Sequence, residues 1–375
     1  MVNKRRLIKL TQKLLSIDSQ NPPGDEFEIA RFVSGYFKKL GLKTKEYKFK
    51  KRRTNILAYL SGKDSSHSLL ITPHLDTVPQ GKSWNIDPFK GVVSGGKIYG
   101  LGATDCKGNL ACAMEAVQSM VEEKERLGYD LIIAATADEE CGSGLGLIPL
   151  LEKGLLKPSA AVVLDSDDFS IIVAQKGLMH LKVKIEGKRA HGAYPWRGIN
   201  AIDLAVDIIK ELKSRRLNFK KNKYLRAPTI NTGTIKGGDK VNIVSDWCEF
   251  ELDFRFLPGM SAQGLLKELK DLVKKHAGKF KIEVQSIQQP YLIKENHTLV
   301  TTLKKAMFDL NVKPDIKGSE GATVITFFQH KNIPAIATGF GSDGCAHTED
   351  EYVKINNLYK GAQVLEKFLI NYKFR

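Results

Sequence analysis

The sequence predicts an α/β fold: a mostly parallel sheet covered by helices, interrupted by an inserted ferredoxin-like (split βαβ) module. Three observations predict it. Between Lys51 and Leu181 short apolar runs alternate with helical patterns, as in SLLITPHLDTV, CKGNLACAMEAVQSMVEE, DLIIAATADEE and SAAVVLDSDD. Buried runs of about five apolar residues separated by helices belong to parallel sheets covered on both faces. From 177 to 288 the pattern changes to strands with one solvated face, in the order β-α-β-β-α-β. Finally, 375 residues are too many for one ordinary core and suit a domain that carries a smaller inserted one. The expected division is 1–176 with 289–375 for the main domain and 177–288 for the insert.

At the N-terminus, Leu7, Leu10, Leu14 and Leu15 recur at helical spacing without a continuous apolar run, so the segment reads as an amphipathic helix rather than an export signal. No stretch approaches the roughly 18 to 20 consecutive apolar residues of a membrane span. Within the insert, 178–187 alternates as a strand, 199–213 is helical, 228–236 and 246–256 are strands, 262–276 is a helix and 280–286 a last strand. After Tyr291 come a helix over 298–310, a helix and strand around 322–338, the loop GFGSDGCAHTEDE and a closing helix over 355–371.

Five cysteines, Cys106, Cys112, Cys141, Cys248 and Cys345, contain no C-x-x-C pair, which predicts reduced thiols in a cytoplasmic setting. Those flanking the acidic motifs, Cys106, Cys141 and Cys345, read as small buried packing residues. The formal charge of +16 raises the question of a polyanion partner. Residues 177–288 hold 22 Lys and Arg against 12 Asp and Glu, so +10 of that charge belongs to the insert. The cluster Lys48, Lys50, Lys51, Arg52 and Arg53 and the cluster around Lys213, Arg215 and Arg216 lack interleaved aromatics and any nucleic-acid-binding motif. Both read as solvated surface, with no nucleic acid and no membrane as partner.

In open α/β sheets the ligand site lies beyond the carboxyl ends of the strands, and His74, Asp76, Glu139, Glu140 and Asp165 all follow directly on apolar runs. His74 and Asp76 in PHLDTVP share one side of an extended chain, the arrangement of a metal-bound imidazole and the carboxylate that orients it. Asp105, in the Gly-rich turn GLGATDCKGN, reads either as a ligand or as a helix N-cap. Glu139 and Glu140 end IIAATADEE; adjacent buried carboxylates repel unless a cation or a shared proton relieves them, whereas a solvated acidic loop needs neither. With His347 in GCAHTEDE the set, Asp76 aside, holds two His, two Asp and two Glu, with one carboxylate available as base. That is the inventory of two divalent ions roughly 3.5 to 4 Å apart with one bridging carboxylate.

The segments PHLDTVPQGKSWNIDPF, IYGLGATDCKGNLA, ADEECGS, AHGAYPWRGINAI, NIVSDWCEFELDFRFLPG and AHTEDEYV follow one another as in a known family. Over nearly its whole length the chain resembles the acetylornithine deacetylase, succinyl-diaminopimelate desuccinylase and carboxypeptidase G family of co-catalytic zinc hydrolases. The resemblance implies a zinc-binding α/β domain interrupted by a lid domain, through which the family commonly forms homodimers. It implies two zinc ions, with cobalt or manganese as substitutes: His74 and Asp165 on one, Glu140 and His347 on the other, Asp105 bridging. Glu139 would be the general base, Asp76 would orient His74, and His191 would polarise the scissile carbonyl in a neighbouring subunit. Asn242 and Arg255 would hold the substrate's carboxylate. The implied substrate is a small N-acyl amino acid, with carboxypeptidase or dipeptidase action on short peptides as the alternative.

Departures from the family pattern bear on substrate choice. Asp165 replaces the usual Glu, with Asp167 and Asp168 close by; GATVITF places Val324 and Thr326 where many deacylases carry an Asp and an Arg; and Leu101 replaces an arginine.

Overall fold

The computed structural model describes residues 1–321 and 323–374. The chain divides into two compact units: Met1–Val173 with Ile293–Lys317 and Phe327–Arg375, and Ala174–Leu292 with Gly318–Thr326. The second unit extends past the expected 177–288 at both ends and takes in a separate later segment. The segment expected around 322–338 begins at a position outside the described residues.

In the first unit the strands Asp130–Ala135, Ser68–Thr72, Ala160–Leu164 and Ala335–Thr338 lie side by side and parallel. Their runs DLIIAA, AAVVL and AIAT are buried nearly throughout, as strands covered on both faces must be. Each fully buried Val, Leu or Ile there contributes roughly 1.5 to 3 kcal/mol relative to exposure. The sheet as a whole is mixed. Lys43–Lys50 and Arg53–Leu60 form a hairpin whose second strand runs antiparallel to Asp130–Ala135, and Ser170–Gln175 runs antiparallel to Ala335–Thr338. The expectation of a mostly parallel sheet therefore holds for the centre, while a two-residue turn at Lys51 and Arg52 leaves no room for the crossover a parallel neighbour needs.

The helix Lys107–Glu122 is buried on nearly every side because Gly108, Ala111, Cys112, Ala113 and Ala116 are small. A three-stranded sheet of Val92–Ser94, Lys97–Tyr99 and Tyr352–Lys354, which sequence patterning did not reveal, brings the residues around 351 to those around 100. No helix among the described residues is long and apolar enough to cross a membrane.

The second unit contains a four-stranded antiparallel sheet in the order Thr229–Gly237, Trp247–Phe256, Gly177–Glu186, Lys279–Gln288. Gly177–Glu186 and Trp247–Phe256 alternate buried and half-exposed positions. The buried side chains Leu181, Val183, Phe250 and Leu252 pack with Ala205, Ile208, Leu269 and Leu272 from the helices Ala201–Ser214 and Ala262–His276. Asn200 and Ser261 start those helices by accepting the backbone N–H groups of Ile202 and Gly264.

Candidate active site

Three strand ends and two turns of the first unit assemble the site. His74 lies two residues beyond Ser68–Thr72 and is 2 % exposed. Its Nδ1 donates to the backbone carbonyl of Asp76 at 2.9 Å, which directs Nε2 at Asp105 Oδ1, 2.8 Å away, with Asp165 Oδ1 at 4.0 Å. The Asp76 carboxylate is 3.6 Å from His74 Nδ1 and accepts instead from the backbone N–H groups of Glu139 and Glu140, both at 3.1 Å, and from Asn21 Nδ2 at 2.9 Å. Asp76 thus ties the adjacent glutamates to the strand end that carries His74.

Asp105 faces both imidazoles, since its Oδ2 is 3.2 Å from His347 Nε2. Its turn is held by Glu351, whose carboxylate accepts from the backbone N–H groups of Gly102, Thr104 and Asp105 at 2.8, 2.7 and 3.0 Å. His347 Nε2 also meets Glu140 Oε2 at 3.2 Å, while Glu140 Oε1 is buried with no hydrogen-bond partner. Close backbone packing sets the loops beyond the strands: a Cβ on Gly146 would fall 1.9 Å from the Ala137 carbonyl, and one on Gly339 would fall 1.6 Å from the Ser166 carbonyl, beside Asp165. Of the neighbours of Asp165, Asp167 lies 4.0 Å from Lys317 Nζ and Asp168 accepts from Asn357.

The electrostatics follow from four carboxylates in one desolvated place. Burial, then the Asp105 charge, pushes Asp165 up to about 7. Burial, then Asp165, raises Glu139 well above the usual carboxylate range. Hydrogen bonds to Asp105 and then Glu140 raise His347 to about 10. Burial opposes charge on His74, but Cys106, Asp105 and Asp76 outweigh it and raise its proton affinity. The two imidazoles draw the proton off Asp105, so the crowding is relieved by protons held on Asp165 and Glu139.

The orphaned Glu140 oxygen and a donor set of carboxylates and imidazoles fit divalent ions of the zinc class. His74, Asp105 and Asp165 would serve one ion, and Asp105, Glu140 and His347 the other. Cys106 is a poor ligand. Burial lifts its thiol to about 12, and its Sγ accepts from the His74 backbone N–H and donates to the His74 carbonyl. Cys106 and Cys345 are buried as expected, whereas Cys141, in the turn after Glu140, is exposed.

In the second unit His191 is exposed on Ala190–His191, paired with Ile243–Val244. Asn242 lies one residue before that partner strand, and its carbonyl accepts from the Gly192 N–H at 2.7 Å. His191 and Asn242 therefore share one ribbon. Arg255, on Trp247–Phe256, forks onto Asp253 through Nε at 2.8 Å and Nη2 at 3.1 Å. Val324, Thr326 and Leu101 are buried.

Residues that sequence reading passed over are Glu351, Asn21, Asp138, Glu26 and Arg53. Arg53, in the basic cluster expected as solvated surface, is 5 % exposed. Position within a KKRR run carries no sign of which cation turns inward. The available signal was that Arg53 opens an apolar strand.

Partly buried carboxylates beside two imidazoles, at and beyond the carboxyl ends of parallel strands, have the donor set of a metal-dependent hydrolase. The chain belongs to the peptidase family M20/M25/M40, whose pattern matches residues 70–371, and it is an enzyme that hydrolyses amide bonds. A tripeptidase of Staphylococcus aureus is similar at 25% identity and TM-score 0.80, with 98% of each chain covered. Two further structures share the fold. The aminopeptidase PepT of Bacillus cereus has 22% identity and TM-score 0.80 over 98% of each chain. A dinuclear metal binding peptidase of Bacillus subtilis has 17% identity and TM-score 0.76, over 98% of this chain and 97% of its own.

Proposed function

We propose that the protein is a dinuclear zinc hydrolase that cleaves the amide bond of a small N-acyl amino acid. The observation that carries this reading is Asp105, whose two oxygens lie 2.8 Å from His74 Nε2 and 3.2 Å from His347 Nε2, the disposition of a bridging ligand. Bound zinc would supply Lewis acidity for the scissile carbonyl and acidify a water. Glu139 takes the proton of the attacking water and passes it to the leaving amine; its buried, acid-crowded setting raises its proton affinity, as that task requires. His191, from the insert of a second copy, donates to the developing oxyanion, and Asn242 and Arg255 hold the free carboxylate. This assigns the insert the role of lid and dimerisation domain, and the ordered match to the deacylase motifs supports that branch of the family. The free cysteines support a cytoplasmic setting.

A second reading, hydrolysis of short peptides, is favoured by the 25% identity to the tripeptidase. Zinc-loaded protein offered N-acetyl, N-succinyl and N-formyl amino acids beside di- and tripeptides, with amine release as readout, separates the two. Faster release from peptides reverses their order, and no release from any member overturns both.

A further inference from the structure

The geometry points to Arg53 as a positioning residue for the glutamate pair, acting through a buried polar chain that ends on Asp76. This inference rests on the metal-dependent reading proposed above. Arg53 opens the strand Arg53–Leu60 and is 5 % exposed. Its guanidinium forks onto Glu26 through Nε and Nη2 at 2.7 and 2.8 Å, and the same Nη2 donates to Asp138 Oδ1 at 2.7 Å. Asp138 directly precedes Glu139 and holds its backbone at φ 67°, a left-handed conformation uncommon for residues other than glycine and tolerated best by Asn and Asp.

The surroundings of Asp138 are specific. The Asp138 N–H donates to Glu26 Oε1 at 3.3 Å, and its Oδ2 accepts from the Leu145 N–H at 2.9 Å. Asn21 Nδ2 donates both to Asp138 Oδ1 at 3.2 Å and to Asp76 Oδ2 at 2.9 Å. Asp76 in turn takes the N–H groups of Glu139 and Glu140. The turn carrying the base and one metal ligand is thus clamped from its first residue and from beneath, and a single buried cation holds the first clamp.

The shape of that cation matters. A guanidinium presents donors in a rigid fork and serves Glu26 and Asp138 together, whereas an ammonium is a point charge on a flexible stem. The space is fitted to the fork as well, because a Cβ on Gly24 would come within 2.3 Å of the guanidinium. Lysine at 53 keeps the charge and loses the simultaneous grip. A misplacement of the turn of the order of 1 Å is enough to cost about 10²-fold in rate.

The test uses cobalt(II) as probe of the full-length protein, with its visible absorption and calorimetric titration as readouts, beside steady-state kinetics on the best substrate of the panel. Arg53→Lys should weaken the more weakly held cobalt ion tenfold or more and leave the tighter one within about threefold. It should lower kcat about tenfold or more with KM within about twofold. Asn21→Ala leaves the Arg53 pairs intact and cuts the link from Asp138 to Asp76; it should shift the same quantities in the same direction by less, and it decides the matter if Arg53→Lys does not fold. A lowered urea midpoint with unchanged kcat and unchanged cobalt affinities, in whichever variant folds, makes the chain of contacts a stability feature alone and overturns the inference. A wild type that takes up no cobalt overturns the metal-dependent reading and this inference with it, so the two failures differ in the wild-type titration.

Discussion

The two units put their ionisable side chains to opposite use. In the first, Glu26, Arg53, His74, Asp76, Lys107, Asp138 and Glu351 are buried, and they converge on or beneath the carboxyl ends of the parallel strands. In the second, the interior is apolar, and apart from Lys176, paired with Glu320, the charges meet on the surface, as Lys182 with Glu251 and Arg189 with Asp239 do. Exposed pairs of that kind contribute little to stability, while a buried charge must be matched or it shifts its protonation. Position, not number of charges, therefore separates the unit that gathers the candidate site from the one that carries most of the net positive charge.

The largest expected effect lies at the most crowded point of the first unit. Glu139→Gln should keep metal and fold and lose turnover by about 10²-fold or more, the usual scale for a general base. Glu140→Gln should lose metal as well, since its carboxylate faces His347. Equal metal loss in both variants, by elemental analysis after zinc reconstitution, would mean that the roles are exchanged.

Next comes a contrast inside the site. His74 is 2 % exposed and fixed by a backbone carbonyl, whereas the His347 side chain is 52 % exposed on a loop at φ 60°. A chelator should therefore strip the His347 side first. His347→Ala should empty one position, and Asp105→Ala should weaken both. Loss of both metals at the same chelator concentration in the wild type would erase the contrast.

What could be read in advance follows the same division. Apolar runs such as AAVVL announce buried strands, and acids or imidazoles just beyond them announce a site, so His74, Glu139, Glu140 and Asp165 were legible. The four long strands and two helices of the insert were legible because strands such as Gly177–Glu186 alternate from Met179 onward, whereas the short ribbon of Ala190–His191 and Ile243–Val244 was not. The antiparallel flanks of the large sheet were not, since a buried run reads the same in either direction. Nor were Glu26, Arg53, Asn21 and Glu351, whose partners are 27 to 249 residues away in sequence. A buried ion pair leaves no periodic trace in one sequence.

A smaller effect tests whether the buried groups of the first unit titrate as their surroundings require. In the metal-free protein Asp165 and Glu351 are each raised to about 7, from 3.8 and 4.5, so the folded state binds more protons than the unfolded one, and stability falls as pH rises toward 7. His347, raised from 6.5 to about 10, contributes stability that is complete below 6.5 and is lost as pH climbs toward 10. Lys107, pushed down to about 8 by burial, acts the other way between about 8 and 10.5, so the clean window is pH 5 to 8. There the urea midpoint of chelator-treated protein should fall with rising pH while zinc affinity rises, because the ligands must shed protons to bind. A midpoint that climbs across this window contradicts the site electrostatics.

The smallest effect is also the one that could break the comparison, because it asks a charge pair of the second unit to matter in catalysis. Arg255 is 26 % exposed in its side chain, and Asp253 already occupies its fork. A substrate carboxylate must share or displace that partner, so the net gain from Arg255 is smaller than for an unpaired guanidinium. Arg255→Ala should lower kcat/KM about tenfold, chiefly through KM, corresponding to ~1.4 kcal/mol, near the low end for a hydrogen bond to a charged group. Arg255→Lys should recover little of it, since the fork geometry is lost. Asp253→Asn frees the guanidinium and should lower KM for N-acyl amino acids several-fold while leaving their α-carboxamides unchanged. With Thr326 buried and no second cation there, N-succinyl substrates should gain little over N-acetyl ones. Kinetics on an N-acetyl amino acid, its carboxamide and its N-succinyl analogue, in wild type and the three variants, measure all of this. If the wild type cleaves the carboxamide as fast as the acid, Arg255 is another surface pair and the division between the units is complete. If Asp253→Asn tightens only the acid, the second unit holds one charge pair whose purpose is the substrate.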